Sequence, residues 1–339
     1  MQRCIQLARL GAGNVAPNPM VGAVLVYKGR IIGEGYHEQY GQAHAEVNCI
    51  NSVAAENKHL IEESALYCSL EPCSHFGKTP PCADLIIESK IPVVVIGCGD
   101  SFQQVDGKGI QKLREAGIDV IVPVLEKEAS YLNQRFFTFH TQKRPFIILK
   151  WAQTANGFIG AGDDTRLLIS NEFTNRQVHK WRSEAAAILV GTNTALKDDP
   201  TLTTRFWKGN NPVRLVVDKT LRLPQTLHLF DRSVKTIVFN AIQQSQEDNL
   251  LYYKIESDQS LVYQMMAALY QLNIQSVLVE GGSRLLQSFI DENCWDEAIV
   301  ITNTGLVIQH GIQAPLLKNA EKISGEKNYA DTIDYYKHI

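Results

Sequence analysis

Apolar residues recur at helical spacing near the start of the chain, at Ile5, Ala8 and Leu7 or Leu10, and Gly11 and Gly13 close the stretch. That pattern predicts a short amphipathic helix over residues 2–10 with a glycine stop. Two strand-like runs, Val21 to Val26 and Arg30 to Tyr36, flank Lys28-Gly29, a hairpin signal. A helix opening at His44, a strand over residues 65–70, a helix from about Pro81 to Lys90 and the buried-type strand Val93-Val94-Val95-Ile96 follow. A helix near Ile110 to Ala116, a strand from Asp119 to Val124 and one helix over Glu126 to Gln142 close the first half. The last of these carries an apolar stripe of Tyr131, Leu132, Arg135, Phe136 and Phe139.

The tract Thr141-Gln142-Lys143-Arg144-Pro145 then breaks the pattern, and its proline marks a boundary. Domains over residues 1–143 and 144–339 are expected. Alternation resumes with strands at Phe146 to Trp151, Ala187 to Val190, Arg214 to Val217, Thr236 to Phe239 and Val277 to Val279, and helices over about Asn171 to Arg182 and Leu261 to Leu272. Strands alternating with helices predict layered α/β domains. No His-Ala-Glu or Pro-Cys pair recurs in the second half, so it is a different module.

Composition narrows the class. A chain of 339 residues fits two domains at ~150 residues each. With 45% hydrophobic and 20% charged residues it is a packed globular protein. A net charge of −3 argues against an electrostatic nucleic-acid binder and leaves small molecules as the natural partners. No run of 18 apolar residues and no signal-type start is present, so no membrane association and a cytoplasmic location are expected. Seven scattered cysteines are too sparse for a disulfide scaffold.

The chemistry concentrates in His44-Ala45-Glu46 and in Glu71-Pro72-Cys73-Ser74-His75-Phe76-Gly77-Lys78-Thr79-Pro80-Pro81-Cys82. A zinc ion that activates water needs three protein ligands and one open position, and His44, Cys73 and Cys82 supply a nitrogen and two thiolates. A helix starting near His44 puts residues 44 and 46 in one exposed first turn, so Glu46 can shuttle protons beside the metal. Pro72-Cys73, directly after the run Ala65 to Leu70, reads as a strand ending at a second helix start, whose dipole would favour thiolates. No fourth protein ligand stands at suitable spacing, which separates the pattern from a closed structural site.

The order H-x-E then P-C is the zinc deaminase signature, in which the glutamate is acid and base and not a ligand. Here eight residues, not two, separate the cysteines. This long form resembles the deaminase half of the bifunctional riboflavin-biosynthesis deaminase-reductase family, and the resemblance covers nearly the whole chain. It implies a cytidine-deaminase-like three-layer N-terminal domain binding one Zn2+. The loop Ala16-Pro17-Asn18-Pro19-Met20-Val21-Gly22 matches the family's PNP-x-VG, in which the asparagine holds the pyrimidine. The positions of His75 and Lys78 match those that contact the ribose phosphate, a role suited to a lysine point charge. The implied substrate is 2,5-diamino-6-(5-phosphoribosylamino)pyrimidin-4-one. Zinc lowers the pKa of a water, Glu46 takes its proton, and Glu46 later protonates the departing nitrogen.

In the second half, Val279-Glu280-Gly281-Gly282-Ser283-Arg284-Leu285-Leu286 reads as a strand entering a helix through two glycines, a turn that lets a phosphate approach backbone N–H groups. It is not G-x-G-x-x-G, so it is not a Rossmann turn. With Leu149-Lys150-Trp151-Ala152 and Asp198-Asp199-Pro200-Thr201-Leu202-Thr203-Thr204-Arg205 it resembles the reductase half of the same family, which is dihydrofolate-reductase-like. The resemblance places Ala152, Thr194, Asp198 and Gly282, Ser283, Arg284, Leu285, Leu286, Gln287 and Ser288 at NADPH. It places Arg182, Leu202, Arg205 and Glu280 at the substrate, and Lys150 in the reductase site. The chain departs from the family at Asn156 and Phe158, at Leu168, and at Thr302-Asn303-Thr304-Gly305.

The reading is a cytoplasmic, homo-oligomeric enzyme that deaminates a phosphoribosylaminopyrimidine and then reduces its ribosyl chain to ribityl with NADPH. The rivals are a deaminase of another pyrimidine or of nucleic acid with a silent second domain, and a zinc-stabilised module that binds phosphopyrimidines.

Overall fold

In the computed structural model, which describes residues 1–76, 80–100, 107–162 and 167–339, alternation along β1 (Gly22–Tyr27) organises the first half. Successive side chains of a strand face opposite ways. Ala23 and Leu25 pack with Ala45 and Cys49 of α2 (Ala45–Asn51), while Val24 packs with Cys4 and Leu7 of α1 (Gln2–Ala8). Among the described residues the sheet has five strands, in the order β2-β1-β3-β4-β5, with β2 at Arg30–Tyr36, β3 at Ala65–Leu70, β4 at Val93–Cys98 and β5 at Asp119–Ile121. The β1–β2 and β1–β3 pairs are antiparallel, and β3–β4–β5 run parallel. Helices α3 (Cys82–Glu88) and α4 (Lys108–Glu115) join the α2 side, and α5 (Glu126–Leu132) lies on β4 with α1. Gly35 permits this layering, since a Cβ there would sit 2.3 Å from the amide nitrogen of Cys49.

The helix expected over Glu126 to Gln142 is two: α5 ends at Leu132 and α6 spans Gln134–Gln142. Asn133 breaks them at φ −110° and ψ 19°, because its side chain is committed elsewhere. Its Oδ1 accepts from the Met20 amide at 2.8 Å and its Nδ2 donates to the Met20 carbonyl at 2.9 Å. The bonded residue follows Asn18-Pro19, so the break in the helix anchors the proline loop. The strand from Asp119 is also shorter than expected and stops at Ile121, where Pro123 brings no N–H to a ladder.

The chain divides at Lys143/Arg144 into two units, Met1–Lys143 and Arg144–Ile339. In the second, β6 (Phe146–Thr154), β8 (Ala187–Gly191), β9 (Val213–Val217), β10 (Thr236–Asn240), β12 (Leu250–Lys254), β13 (Ser276–Gly281) and β14 (Glu297–Asn303) run parallel, with β7 (Phe158–Ala161) and β11 (Ser245–Glu247) coming between them in sequence. Among the described residues the ten-stranded order is β11-β12-β10-β9-β8-β13-β6-β14-β17-β16, where β16 (Ala320–Asn328) and β17 (Asp331–His338) form an antiparallel edge. A separate pair joins β7 to β15 (Gly311–Gln313).

Both faces of this sheet are covered, which is why its strands are nearly continuous apolar runs. Ile147, Leu149, Val277 and Val279 face α9 (Leu261–Gln271) and α10 (Ser283–Asp291). Phe146, Ile148 and Leu278 face Val178 of α7 (Glu172–Glu184). The remaining helix, α8 (Thr192–Asp198), follows β8 directly.

Replacing Asn133 with Ala is expected to destabilise the first unit by ~2–4 kcal/mol, because both peptide groups of Met20 lose their partner in a closed environment. Denaturant unfolding of the purified variant measures it, and an unchanged midpoint would remove the clamp from the account of the loop.

Candidate functional site

The start of α2 brings His44 and Glu46 together as expected, but the turn is not exposed, since Ala45 and Glu46 are buried against the sheet. His44 is the N-cap of α2, extended at φ −74° and ψ 168°, and its carbonyl accepts the Asn48 amide. Its imidazole is thus turned out of the helix while Glu46 lies inside the first turn, 3% exposed. Nδ1 of His44 is 3.6 Å from the Cys73 sulfur and 3.3 Å from the Cys82 sulfur, and the three donor atoms lie within 4.8 Å of one another. A tetrahedral zinc with bonds of ~2.0–2.3 Å requires ligand atoms about 3.3–3.8 Å apart. The triad fits that ion in donor chemistry and in spacing.

The electrostatics suit the same purpose. A hydrogen bond from the Cys82 thiol, together with the His44 ring, lowers the pKa of Cys73, whereas contact with Cys73 and burial push Cys82 up. The pair therefore holds a thiolate readily, and a bound cation favours the second. Burial pushes the Glu46 carboxyl above the ordinary carboxylate range, and the Cys73 charge adds to this. A carboxyl raised in this way takes up a proton more readily than an ordinary carboxylate, which suits a group that must carry and return one.

One expectation is corrected. Cys73 does not open a helix: β3 ends at Leu70, and α3 begins only at Cys82, with Pro81 as its N-cap. Two prolines without N–H groups, Pro80 and Pro81, delay the helix. Cys73 is held instead by the amide of Cys82, which donates to its sulfur at 3.3 Å.

The group that fixes this turn is Glu71, which has no motif signal of its own. Glu71 is 4% exposed, and among the described residues its carboxylate accepts four backbone N–H bonds, from Asp100 at 3.2 Å, Gly107 at 3.1 Å, Gly109 at 2.9 Å and Ile110 at 3.2 Å. Two residues before Cys73, it ties the metal turn to the start of α4. Among the deaminase substrate residues, Asn18 lies 3.2 Å from His37, whose ring is 5.2 Å from that of His44, so the structure brings Asn18 to the metal triad. His75 is half-buried just after Cys73, and Lys78 lies outside the described residues.

In the second unit a register decides the site. Parallel pairing sets Val279 opposite Leu149, and the chain runs on from there to Glu280 on one strand and Lys150 on the other. Alternation turns both toward α7, where Arg182 waits. Arg182 grips Glu280 with Nε to Oε1 and Nη2 to Oε2, both 2.8 Å, and Lys150 Nζ is 3.6 Å from Oε2. All three side chains are nearly closed to solvent, at 12%, 13% and 9% exposure for Lys150, Arg182 and Glu280. Burial opposes ionisation of Glu280, yet the charges of Arg182 and Lys150 outweigh it and lower its pKa; burial also lowers that of Lys150. His179, three residues before Arg182 on α7, was not foreseen; burial and the charges of Arg182 and Arg205 lower its pKa to about 4, which keeps it neutral. Its i, i+3 spacing from Arg182 was the available signal.

The turn expected to meet NADPH is present. Gly281 has φ +116°, Gly282 is the N-cap of α10, and no side chain caps that helix. A Cβ on Gly282 would come within 3.2 Å of Thr194 Oγ1, so a side chain there would crowd Thr194, and the uncapped N–H end of α10 suits an anion such as a pyrophosphate. Ala152 lies on β6, Asp198 ends α8, and Arg205 and Arg284 are exposed. Leu202, Leu285 and Leu286 are buried at 2%, 8% and 0%, so none of the three offers much surface to a ligand. Ser283, Gln287 and Ser288 bond to Gln313, Asp291 and Arg284 respectively.

These features define a zinc-type deaminase centre on one unit and a reductase-type α/β site on the other, and the comparisons agree. Residues 1–98 match the cytidine and deoxycytidylate deaminase zinc-binding region, and residues 145–307 match the RibD C-terminal domain. The riboflavin biosynthesis protein RibD of Aquifex aeolicus is 40% identical over 308 residues, covering 88% of this chain and 85% of that protein. The Escherichia coli K12 protein of the same name is 32% identical, covering 88% and 85%. A solved diaminohydroxyphosphoribosylaminopyrimidine deaminase/5-amino-6-(5-phosphoribosylamino)uracil reductase of Thermotoga maritima superposes with TM-score 0.90 at 37% identity, over 100% of this chain and 97% of that one. Acinetobacter baumannii RibD gives 0.88 at 28% identity, over 99% and 97%.

The chain belongs to the RibD family. It is a bifunctional deaminase and reductase of riboflavin biosynthesis, cytidine-deaminase-like in its first half and dihydrofolate-reductase-like in its second, and it uses zinc and NADPH. Among the described residues no helix is long and apolar enough to cross a membrane.

Glu280→Ala is expected to cost ~3–5 kcal/mol of stability, since Arg182 and Lys150 would stay buried without their counter-charge. Denaturant unfolding followed by a probe in the second unit reads this, and a loss under ~1 kcal/mol would mean that water reaches the pair.

Proposed function

We propose that the first unit deaminates 2,5-diamino-6-(5-phosphoribosylamino)pyrimidin-4-one and that the second reduces the product to 5-amino-6-(5-phosphoribitylamino)uracil. The observation that carries this is the convergence of His44, Cys73 and Cys82 with a buried Glu46 in a chain that matches the Thermotoga deaminase/reductase along its whole length. His44, Cys73 and Cys82 hold the zinc, which when bound supplies the Lewis acid that makes water a nucleophile at neutral pH. Glu46 takes a proton from the attacking water and returns it to the amine that leaves as ammonia. Asn18 binds the pyrimidine, and His75 and Lys78 bind the ribose phosphate.

In the reductase, Arg182 and Arg205 receive the substrate phosphate, and Glu280 holds Arg182 and Lys150 in place against the ribosyl chain. Ala152, Thr194, Asp198 and the stretch Gly282 to Ser288 bind NADPH, which supplies the hydride. The seven free cysteines, two of them needed as thiolates, fit a reducing compartment, and we place the enzyme in the cytoplasm. A homo-oligomeric state belongs to the same reading and is checked by sedimentation.

Glu46→Gln is expected to retain zinc and lose deamination by about 10²–10⁴-fold, since an amide cannot carry the proton. Metal analysis and ammonia release on the purified variant test this, and turnover near the parent rate would remove Glu46 from the mechanism. Chelating the zinc should abolish ammonia release while NADPH oxidation with the deaminated intermediate continues. Parallel loss of both activities would refute two independent sites.

A further inference from the structure

His37 stands between the metal triad and the proline loop and has no role in the reading so far. It is 2% exposed, and its ring meets that of His44 edge-on at 5.2 Å. Both of its ring nitrogens face a polar atom. Nδ1 is 3.0 Å from the carbonyl oxygen of Ala43, and Nε2 is 3.2 Å from Nδ2 of Asn18. The backbone around the pair is fixed as well, because the His37 amide donates to the Val21 carbonyl at 2.9 Å and the Asn18 amide to that of Val15 at 2.9 Å.

The two contacts determine each other. A carbonyl oxygen only accepts, so Nδ1 of His37 carries the proton. A neutral imidazole has one N–H, so Nε2 accepts, and the atom facing it has to be a donor. The carboxamide of Asn18 must therefore turn its NH2 toward His37 and its Oδ1 away. Left to itself, a half-buried carboxamide can present either end, because oxygen and nitrogen fill nearly the same volume.

We propose that His37 is a positioning residue of the deaminase: it fixes the Asn18 carboxamide so that Oδ1 is offered as an acceptor to an N–H of the pyrimidine. This rests on the reading that Asn18 binds the base. An acceptor at that point selects a ring N–H, as in a pyrimidinone lactam, over the bare ring nitrogen of a cytosine, which itself accepts. The long chain from Ala43 through His37 to Asn18 thus converts a backbone carbonyl beside the metal ligand His44 into a choice between base edges.

The test uses the full-length, zinc-loaded enzyme and the diaminopyrimidine phosphate, with ammonia release giving KM and kcat. His37→Asn keeps a donor for Ala43 and deletes the acceptor, and His37→Gln puts an acceptor back near the position of Nε2. Asn18→Ala is expected to raise KM about tenfold, the scale of one lost hydrogen bond. His37→Asn should raise KM by a similar factor, with zinc content unchanged and kcat within about twofold, and His37→Gln should recover most of the loss. In the Asn18→Ala background, His37→Asn should add little, because the two act as a unit.

If Asn18→Ala raises KM but His37→Asn does not, or if the two effects multiply in the double variant, the positioning role is overturned while the reading of Asn18 stands. If Asn18→Ala leaves KM unchanged, the reading of Asn18 fails and this inference with it. A His37→Asn protein that loses zinc would make His37 a support of His44, which also overturns the proposal. If that protein fails to fold, His37→Gln decides by the same KM comparison.

Discussion

A carboxylate closed off from water must be compensated where it stands, and three buried glutamates meet that requirement in three ways that organise the molecule. Glu71 accepts the backbone amides of Asp100, Gly107, Gly109 and Ile110 and so fastens the turn before Cys73 to the start of α4. Glu280 is held by the guanidinium of Arg182 and the ammonium of Lys150, and it stays ionised against its own burial. Glu46 has neither arrangement, and burial raises its pKa. The first carboxylate is architecture, the second fixes two cations at a strand end, and the third is left able to gain and lose a proton. The difference lies in the partners, since the residue type and the degree of burial are nearly the same.

Much of the chemistry was legible in the sequence because it depends on residue identity at short range. His44 and Glu46 share one helical turn, and the order of that pair before Cys73 and Cys82 is what marks it. Strand positions such as Val93 to Ile96 and Ala187 to Val190 were legible for a related reason: strands covered on both faces need unbroken apolar runs. What escaped depends on partners distant in sequence. Asn133 interrupts a helix because Met20 needs its amide group, and nothing between residues 126 and 142 announces that need. Glu71, followed by Pro72 and Cys73, read only as part of a motif. The edge hairpin β16–β17 escaped because β16 is almost wholly exposed and rich in charge and the buried positions of β17 include Asp331, so neither strand shows the apolar alternation of a half-buried strand.

The reductase site shows how a sheet converts register into chemistry. Lys150 and Glu280 lie 130 residues apart and become neighbours only because β13 and β6 pair in parallel with Val279 beside Leu149. A shift of one residue would turn Glu280 toward the α9 and α10 layer, into the company of Leu286 and Phe289, where no cation waits. The ion pairs are therefore strong selectors of register as well as parts of a site. Flanking Val279 and Gly281 face the opposite layer, so the strand carries a core residue and a site residue in alternation up to the turn.

The positions where the chain departs from its family bear on the same point. Asn156 accepts from Thr154 Oγ1 at 2.8 Å and donates to the Ile308 carbonyl at 2.7 Å, so it pins the β6–β7 turn to a distant loop. Asn303 donates to the Ile169 carbonyl at 2.7 Å and accepts the Gly305 amide at 3.0 Å, which ties the end of β14 to the segment before α7. Both side chains donate to a backbone carbonyl, and neither bonds to Lys150, Arg182 or Glu280. Leu168, 75% exposed, contributes nothing to the core. The departures thus rebuild the supports around the strand ends with side-chain amides and leave the charged centre of Lys150, Arg182 and Glu280 as it stands.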